Sequence, residues 1–185
     1  MKLSQPFKFI LTINENRLSE LKSFVEDIDP HIWKINASRK AEFPYHKAVD
    51  TIVLKYCSNE TYQDAKWNDE YQNIIDTFLP IMNEISDHHG HSDPSYSRVM
   101  LAKLDPHSKI LRHYDYEDVH HYTHRIYLPL ITNDQVFFTV AEETRVLKEG
   151  EVYEISNKDY HHVVNESPKP RVHLIFDLIE KEIAS

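Results

Sequence analysis

The chain has 185 residues, 41% of them hydrophobic and 28% charged, a length and balance suited to one core in one globular domain. Its net charge of −9 argues against a nucleic-acid binder working by bulk attraction to phosphates, and its two glycines, Gly90 and Gly150, exclude a Gly-rich phosphate loop. Thirteen histidines are more than a domain this size usually carries, and histidine is the commonest metal ligand, so the question becomes which of them face one another.

Met1–Pro6 carries a charge but no apolar run closed by small residues, so no signal peptide is expected, and no apolar stretch approaches the roughly eighteen residues of a membrane span. Phe7–Ile13 reads as a strand. Asn14 can then cap a helix whose apolar positions, Leu18, Leu21, Phe24, Val25 and Ile28, fall at helical spacing, with Pro30 ending it. Thr51–Tyr56 is β-rich. Cys57 is the only cysteine; an internal disulfide is impossible, and a reducing, cytoplasmic setting is expected. A second helix is predicted from about Asp69 to Ser86, with Ile74, Ile75, Phe78, Met82 and Ile85 on its apolar face and a kink at Pro80. Asp87–Pro94 is all turn chemistry, and its histidines, His88, His89 and His91, read as a solvated loop.

From Tyr96 onward the pattern changes to short β-type runs: 97–104, 109–113, 125–131, 136–140, 144–147, 151–155, 160–165 and 171–178. Turn residues such as Asp105-Pro106, Asn133-Asp134 and Glu149-Gly150 separate most of them. The expected fold is mainly β, a jelly roll with the two helices packed outside one sheet: one domain over 1–185, with a mixed N-terminal part to about 94 and a jelly-roll core from about 95 to 179.

His113-Tyr114-Asp115 ends one of these strands. Residues i and i+2 of a strand project from the same face, so His113 and Asp115 can grip one ion together. The later strand Tyr160–Asn165 offers a further imidazole from His161 or His162. Two imidazoles and one carboxylate on one face of an octahedral ion form the ligand set of non-haem iron(II) oxygenases, which leaves three positions for an oxo acid and dioxygen. Arg171 opens an apolar strand; pointing inward, its desolvated charge needs an anion, and a carboxylate-bearing co-substrate suits the guanidinium fork.

The segment from Ser97 to Asp177 resembles the aspartyl/asparaginyl β-hydroxylase family, which includes bacterial proline cis-hydroxylases and consists of iron(II)- and 2-oxoglutarate-dependent dioxygenases with a double-stranded β-helix fold. The resemblance rests on Arg98-Val99-Met100-Leu101 leading to Ile110-Leu111-Arg112-His113-Tyr114-Asp115-Tyr116, on Arg125–Asn133, on Lys148–Tyr153, and on His161–Glu166 followed by Arg171. Ala48–Leu54 is similar to the family's lead-in strand. The resemblance implies Fe(II) held by His113, Asp115 and His161, Arg171 on the distal carboxylate of 2-oxoglutarate, and O2 as oxidant. Arg125 would contact a co-substrate or substrate carboxylate near the metal. Tyr127 stands where the family often has histidine, though a phenol can still donate a hydrogen bond.

Within that resemblance His161 is favoured over His162, because it precedes a Val by two, an Asn by four and an Arg by ten residues, as the family's distal histidine does. His120, His121 and His124 lie between the His-x-Asp and the Arg125 strand, where substrate contact competes with simple solvation. His173 is expected as a hydrogen-bonded core histidine and Cys57 as a buried apolar one. The resulting expectation is a dioxygenase hydroxylating an amino acid or peptide side chain. The alternative is a non-catalytic or cupin-like metal-binding jelly roll, which has no need for a buried Arg171.

Overall fold

In this computed structural model, which describes residues 3–35, 46–57, 64–115 and 123–179, alternation of side chains along the strands decides the architecture. The chain enters on β1 (Phe7–Thr12). Asn14 then starts α1 (Glu15–Glu26): its side-chain oxygen accepts the backbone N–H groups of Asn16 and Arg17, two of the donors a helix start leaves without partners. β2 (Val49–Tyr56) and the short β3 (Lys66–Trp67) follow, and a 3-10 turn at Asp69–Tyr71 leads into α2 (Gln72–His89), with Pro80 inside it.

α2 does not stop at Ser86. It continues through His88 and His89 to Gly90, whose φ of 102° supplies the left-handed cap and whose N–H donates to the carbonyl of Asp87. His88 and His89 therefore belong to the last turn of a helix, while His91 and the rest of the predicted turn segment follow its cap. The C-terminal half supplies the eight expected strands: β4 (Tyr96–Leu104), β5 (Ser108–His113), β6 (Thr123–Ile131), β7 (Val136–Val140), β8 (Glu143–Arg145), β9 (Glu151–Ile155), β10 (His161–Asn165) and β11 (Arg171–Ile179).

The strands form two antiparallel sheets, one of seven strands ordered β1-β9-β6-β11-β4-β2-β3 and one of four ordered β5-β10-β7-β8. β1 and β2 thus belong to the large sheet beside the C-terminal strands. The sheets face each other as a jelly roll without closing into a barrel.

The large sheet is buried on both faces. Ile52, Leu101, Ile126, Leu128, Val152, Leu174 and Phe176 point outward and pack with Leu21 and Val25 of α1 and Ile74, Phe78 and Ile85 of α2. Alternate residues on the same strands, including Ala102, Leu104, Tyr127 and Ile155, point inward and meet Ile110, Phe138 and Val163 of the small sheet. The helices therefore cover one face, and the space between the sheets is left for polar chemistry.

Phe78 is fully buried and meets Phe24 edge-on at 6.0 Å between ring centroids, which joins α2 to α1 over the sheet. Phe78→Ala is expected to destabilise the fold by about 3–5 kcal/mol. Urea titration followed by far-UV circular dichroism should show a lower midpoint with an unchanged slope, and an unshifted midpoint would show that this layer does not support the sheet.

Candidate active site

β5 and β10 lie side by side in the small sheet, and their register places His113 directly opposite His161, with ring centroids 4.3 Å apart. This juxtaposition depends on an irregularity. Pairing steps from Val163↔Ile110 to His161↔His113, so three residues of β5 are spanned by two of β10. Strict alternation from the inward Ile110 would turn Arg112 inward. The β-bulge leaves Arg112 outside and turns His113 in.

His113, Asp115 and His161 offer ligand atoms that all lie within 4.8 Å of one another. Both imidazoles are already oriented: Nδ1 of His113 lies 2.7 Å from the Leu111 carbonyl, and Nδ1 of His161 lies 3.0 Å from that of Asp159. A carbonyl can only accept, so each Nδ1 carries the hydrogen and each Nε2 keeps its lone pair for a metal. Burial and the neighbouring His161 push His113 down to about 4, so it is neutral and ready to ligate at neutral pH. His162, one residue on, faces the other side of the sheet and does not line the cavity. The donor set of two imidazoles and one carboxylate fits a hexacoordinate iron(II) ion.

Arg125 projects from β6 towards this cluster. Its Nε and Nη2 donate to the two carboxylate oxygens of Asp177 at 2.7 and 2.8 Å, and its Nη1 donates to Asp115. Burial alone would lower its pKa, but Asp115 and Asp177 outweigh that and raise it well above the usual value. Arg125, expected to contact a co-substrate or substrate carboxylate, joins two protein carboxylates here, Asp177 and Asp115. Asp177 was not foreseen; it sits directly across from Arg125 on one neighbouring strand and from Arg98 on the other.

Arg171 differs. Its residue is 1% exposed, and Nε and Nη1 meet no hydrogen-bond partner among the described residues. Burial lowers its pKa to about 10, with only Tyr127 acting in the opposite direction. It remains a cation at neutral pH, in the interior, and lines the same cavity as His113, Asp115 and His161. Tyr127 lines that cavity too, and burial pushes its phenol up to about 12, which keeps it a hydrogen-bond donor. His173 shares the inward face of β11, but neither ring nitrogen has a hydrogen-bond partner among the described residues. The expected hydrogen-bonded core histidine is a desolvated one, its pKa driven well down by burial and by Arg171.

His46, which precedes β2, also lines the cavity, with its ring 4.9 Å from that of His113. The sequence reading passed it over because it precedes the recognisable lead-in strand. Arg98 joins the lining from β4. His124 does not reach the cavity. It lies on the outward face of β6, where it hydrogen-bonds Glu154, so neither substrate contact nor solvation describes it. His120 and His121 lie outside the described residues. Cys57 is buried, as expected, and burial raises its thiol pKa. Among the described residues, no helix is long and apolar enough to cross a membrane.

No curated protein sequence matches this chain. Among solved structures it is similar to an oxidoreductase of the 2OG-Fe(II) oxygenase family from Burkholderia pseudomallei, with 13% identity, 91% of this chain and 93% of that one covered, and a TM-score of 0.58. It is also similar to a viral collagen prolyl hydroxylase from Paramecium Bursaria Chlorella virus-1, solved with 2OG, at 11% identity, 96% and 97% coverage and a TM-score of 0.55. A Pseudomonas putida prolyl-4-hydroxylase matches at 13% identity, 96% and 94% coverage and a TM-score of 0.51. These likenesses establish the fold. Residues 58–181 match the Aspartyl/Asparaginyl beta-hydroxylase family, from before β3 to the end of β11 and across β5 and β10, and the chain belongs to that family.

Proposed function

We propose that this protein is an Fe(II)- and 2-oxoglutarate-dependent dioxygenase that hydroxylates an amino acid or a peptide side chain. The observation that carries the reading is Arg171: a buried cation, without a hydrogen-bond partner at two of its nitrogens among the described residues, in the same cavity as an oriented His-Asp-His cluster. A metal-binding jelly roll that uses no oxo acid would carry the desolvation cost of that charge for nothing.

In this reading His113 and His161 bind iron through Nε2 and Asp115 through its carboxylate, while Arg125 fixes the carboxylate and Asp177 fixes Arg125. Iron so held supplies oxidative decarboxylation of the oxo acid by dioxygen, coupled to oxidation of a substrate C–H bond. Arg171 binds the distal carboxylate of 2-oxoglutarate through its free fork edge, and Tyr127 donates its phenol hydrogen beside it. Val163, Ile110 and Phe138 exclude water around that anion, which strengthens its pairing with Arg171. His46 and Arg98 line the same cavity and are placed to contact substrate. Substrate-stimulated succinate formation by Fe(II)-reconstituted protein, screened across free amino acids and short peptides, tests the reading. Absence of 2-oxoglutarate binding to the iron-loaded protein would overturn it.

Removing one member of a buried charged pair costs on the order of 2–5 kcal/mol. Arg171→Ala is therefore expected to weaken 2-oxoglutarate binding by about thirty-fold to a few thousand-fold while iron stays bound. Arg171→Lys should recover only part of this, since it offers a point charge and no fork. Anaerobic calorimetric titration of the iron-loaded variants measures it, and an unchanged Kd in Arg171→Ala would refute the assignment. His161→Ala should lose both iron and oxo acid, and His162→Ala neither.

The depressed histidines also set a pH dependence. An unfolded chain protonates His113 near its ordinary 6.5, whereas the folded, metal-free protein does so only near 4; His173 is shifted in the same direction. Between those values the unfolded state holds more protons, so stability must fall as pH falls through this window. The urea midpoint of metal-free protein should drop from pH 7 to pH 4.5, and His173→Leu should flatten the drop because leucine cannot titrate. An equal slope in the variant would mean that His173 is protonated in the fold.

A further inference from the structure

Three strands carry a row of charges across the inner face of the large sheet. On β11, Asp177 stands directly across from Arg125 of β6 on one side and from Arg98 of β4 on the other. Cross-strand partners point to the same face with Cβ atoms about 5 Å apart, so a carboxylate stands between two arginines. All three residues are buried, with Asp177 1% exposed, Arg98 7% and Arg125 9%. The two arginines line the cavity that holds His113, Asp115 and His161, and Asp177 is not among its lining residues.

Arg125 divides its donors unequally. Nε and Nη2 go to the two oxygens of Asp177 at 2.7 and 2.8 Å, a bidentate pair with both partners buried, and Nη1 goes to Asp115. Two parallel hydrogen bonds from one fork to one carboxylate are the strongest way for these groups to meet. Asp177 therefore takes the larger share of this arginine and Asp115 the smaller. Away from water such charges are weakly screened, so what one carboxylate does to Arg125 is felt at the other.

That division matters to a carboxylate that must also hold an ion. Asp115 has one negative charge to give, and both Arg125 and a divalent ion in the His-Asp-His cluster draw on it. An arginine whose charge fell on Asp115 alone would compete with the ion for that carboxylate and repel the ion as well. With Asp177 on its other edge, Arg125 orients Asp115 while most of its charge is met elsewhere. A neutral residue at 177 would take away the carboxylate that stands between Arg125 and Arg98. We propose that Asp177 is a positioning residue that acts through its charge: it balances Arg125, so that Asp115 is held by the arginine and still binds a divalent ion tightly. The inference rests on the reading of His113, Asp115 and His161 as the metal ligands, and it gives control of ion affinity to a residue outside that set.

Mn(II) is the probe, because imidazole and carboxylate ligands accept it and the electron paramagnetic resonance lines of the free ion fade as it binds. Chelator-stripped protein is titrated without oxo acid, and His161→Ala marks the binding that belongs to the cavity. Asp177→Asn keeps the shape and removes the charge; it should weaken Mn(II) binding about ten- to a hundred-fold, as loss of a group behind metal ligands does. Asp177→Asn combined with Arg125→Gln also removes the competing cation and should regain most of that loss. The recovery separates charge from support: were Asp177 only a prop for Arg125, the double variant would bind no better than the single one. Circular dichroism checks that each variant folds. If Asp177→Asn does not fold, the double variant decides alone, and a loss beyond about tenfold in it overturns the proposal. Unchanged affinity in folded Asp177→Asn, or no recovery in the double variant, overturns it as well. Mn(II)-loaded protein that shows the recovery but binds no 2-oxoglutarate would count against the oxygenase reading and leave this inference standing. Mn(II) binding unmoved by His161→Ala would overturn both.

Discussion

Strand β11 runs through the middle of the seven-stranded sheet with neither face in water, so every polar side chain on it must be answered from within the protein. Its outward residues, Val172, Leu174, Phe176 and Leu178, make no such demand and simply join the layer under the helices. Its inward residues are Arg171, His173, Ile175 and Asp177, and the polar three account for much of the site. Asp177 is answered by Arg125, which reaches on to Asp115. His173 is answered by becoming neutral, driven by burial and then by the field of Arg171. Arg171 stays charged near pH 7, and its Nε and Nη1 meet no hydrogen-bond partner among the described residues.

That asymmetry places the chemistry. At one end of β11's inner face the charges are closed among protein groups, and those groups are rigid. At the other end lies the buried Arg171 cation. On the proposed reading, a ligand that spans from the His-Asp-His cluster to Arg171 carries an anionic group at its far end, which is a stronger restriction than the metal ligands impose alone. The bulge in β5 supplies the remaining condition by turning His113, and not Arg112, towards that same space.

Much of this was legible in the chain. β7 and β9 begin and end where alternation and turn residues place them, because strands bounded by Asn-Asp or Glu-Gly leave little freedom. The His-x-Asp spacing and the Arg171 strand carried the resemblance. The bulge was not legible, since an extra residue in one strand is defined only against its partner's register. Asp177 left a signal that went unused: polar residues at 171, 173 and 177 repeat with period two along an otherwise apolar strand. The end of α2 misled for a physical reason. Histidine, glycine, serine and proline near Asp87 favour turns locally, but the contact from His89 to Glu154 is tertiary and extends the helix.

Strand β6 links the two sides of the large sheet. β6 presents His124 outward and Arg125 inward on consecutive residues, so anything that fixes the backbone there constrains both. Outward, His124 meets Glu154 of β9 and the last turn of α2. Inward, Arg125 orients the carboxylate beside His113. Glu154 stands directly across from Ile126 on the paired strand, one residue from Arg125. The hydrogen bonds of Glu154 to His89 and His124 tie β9, the end of α2 and β6 together on the outer face. The outer cluster and the inner site therefore share one stretch of β6 backbone, although the outer histidines do not line the cavity.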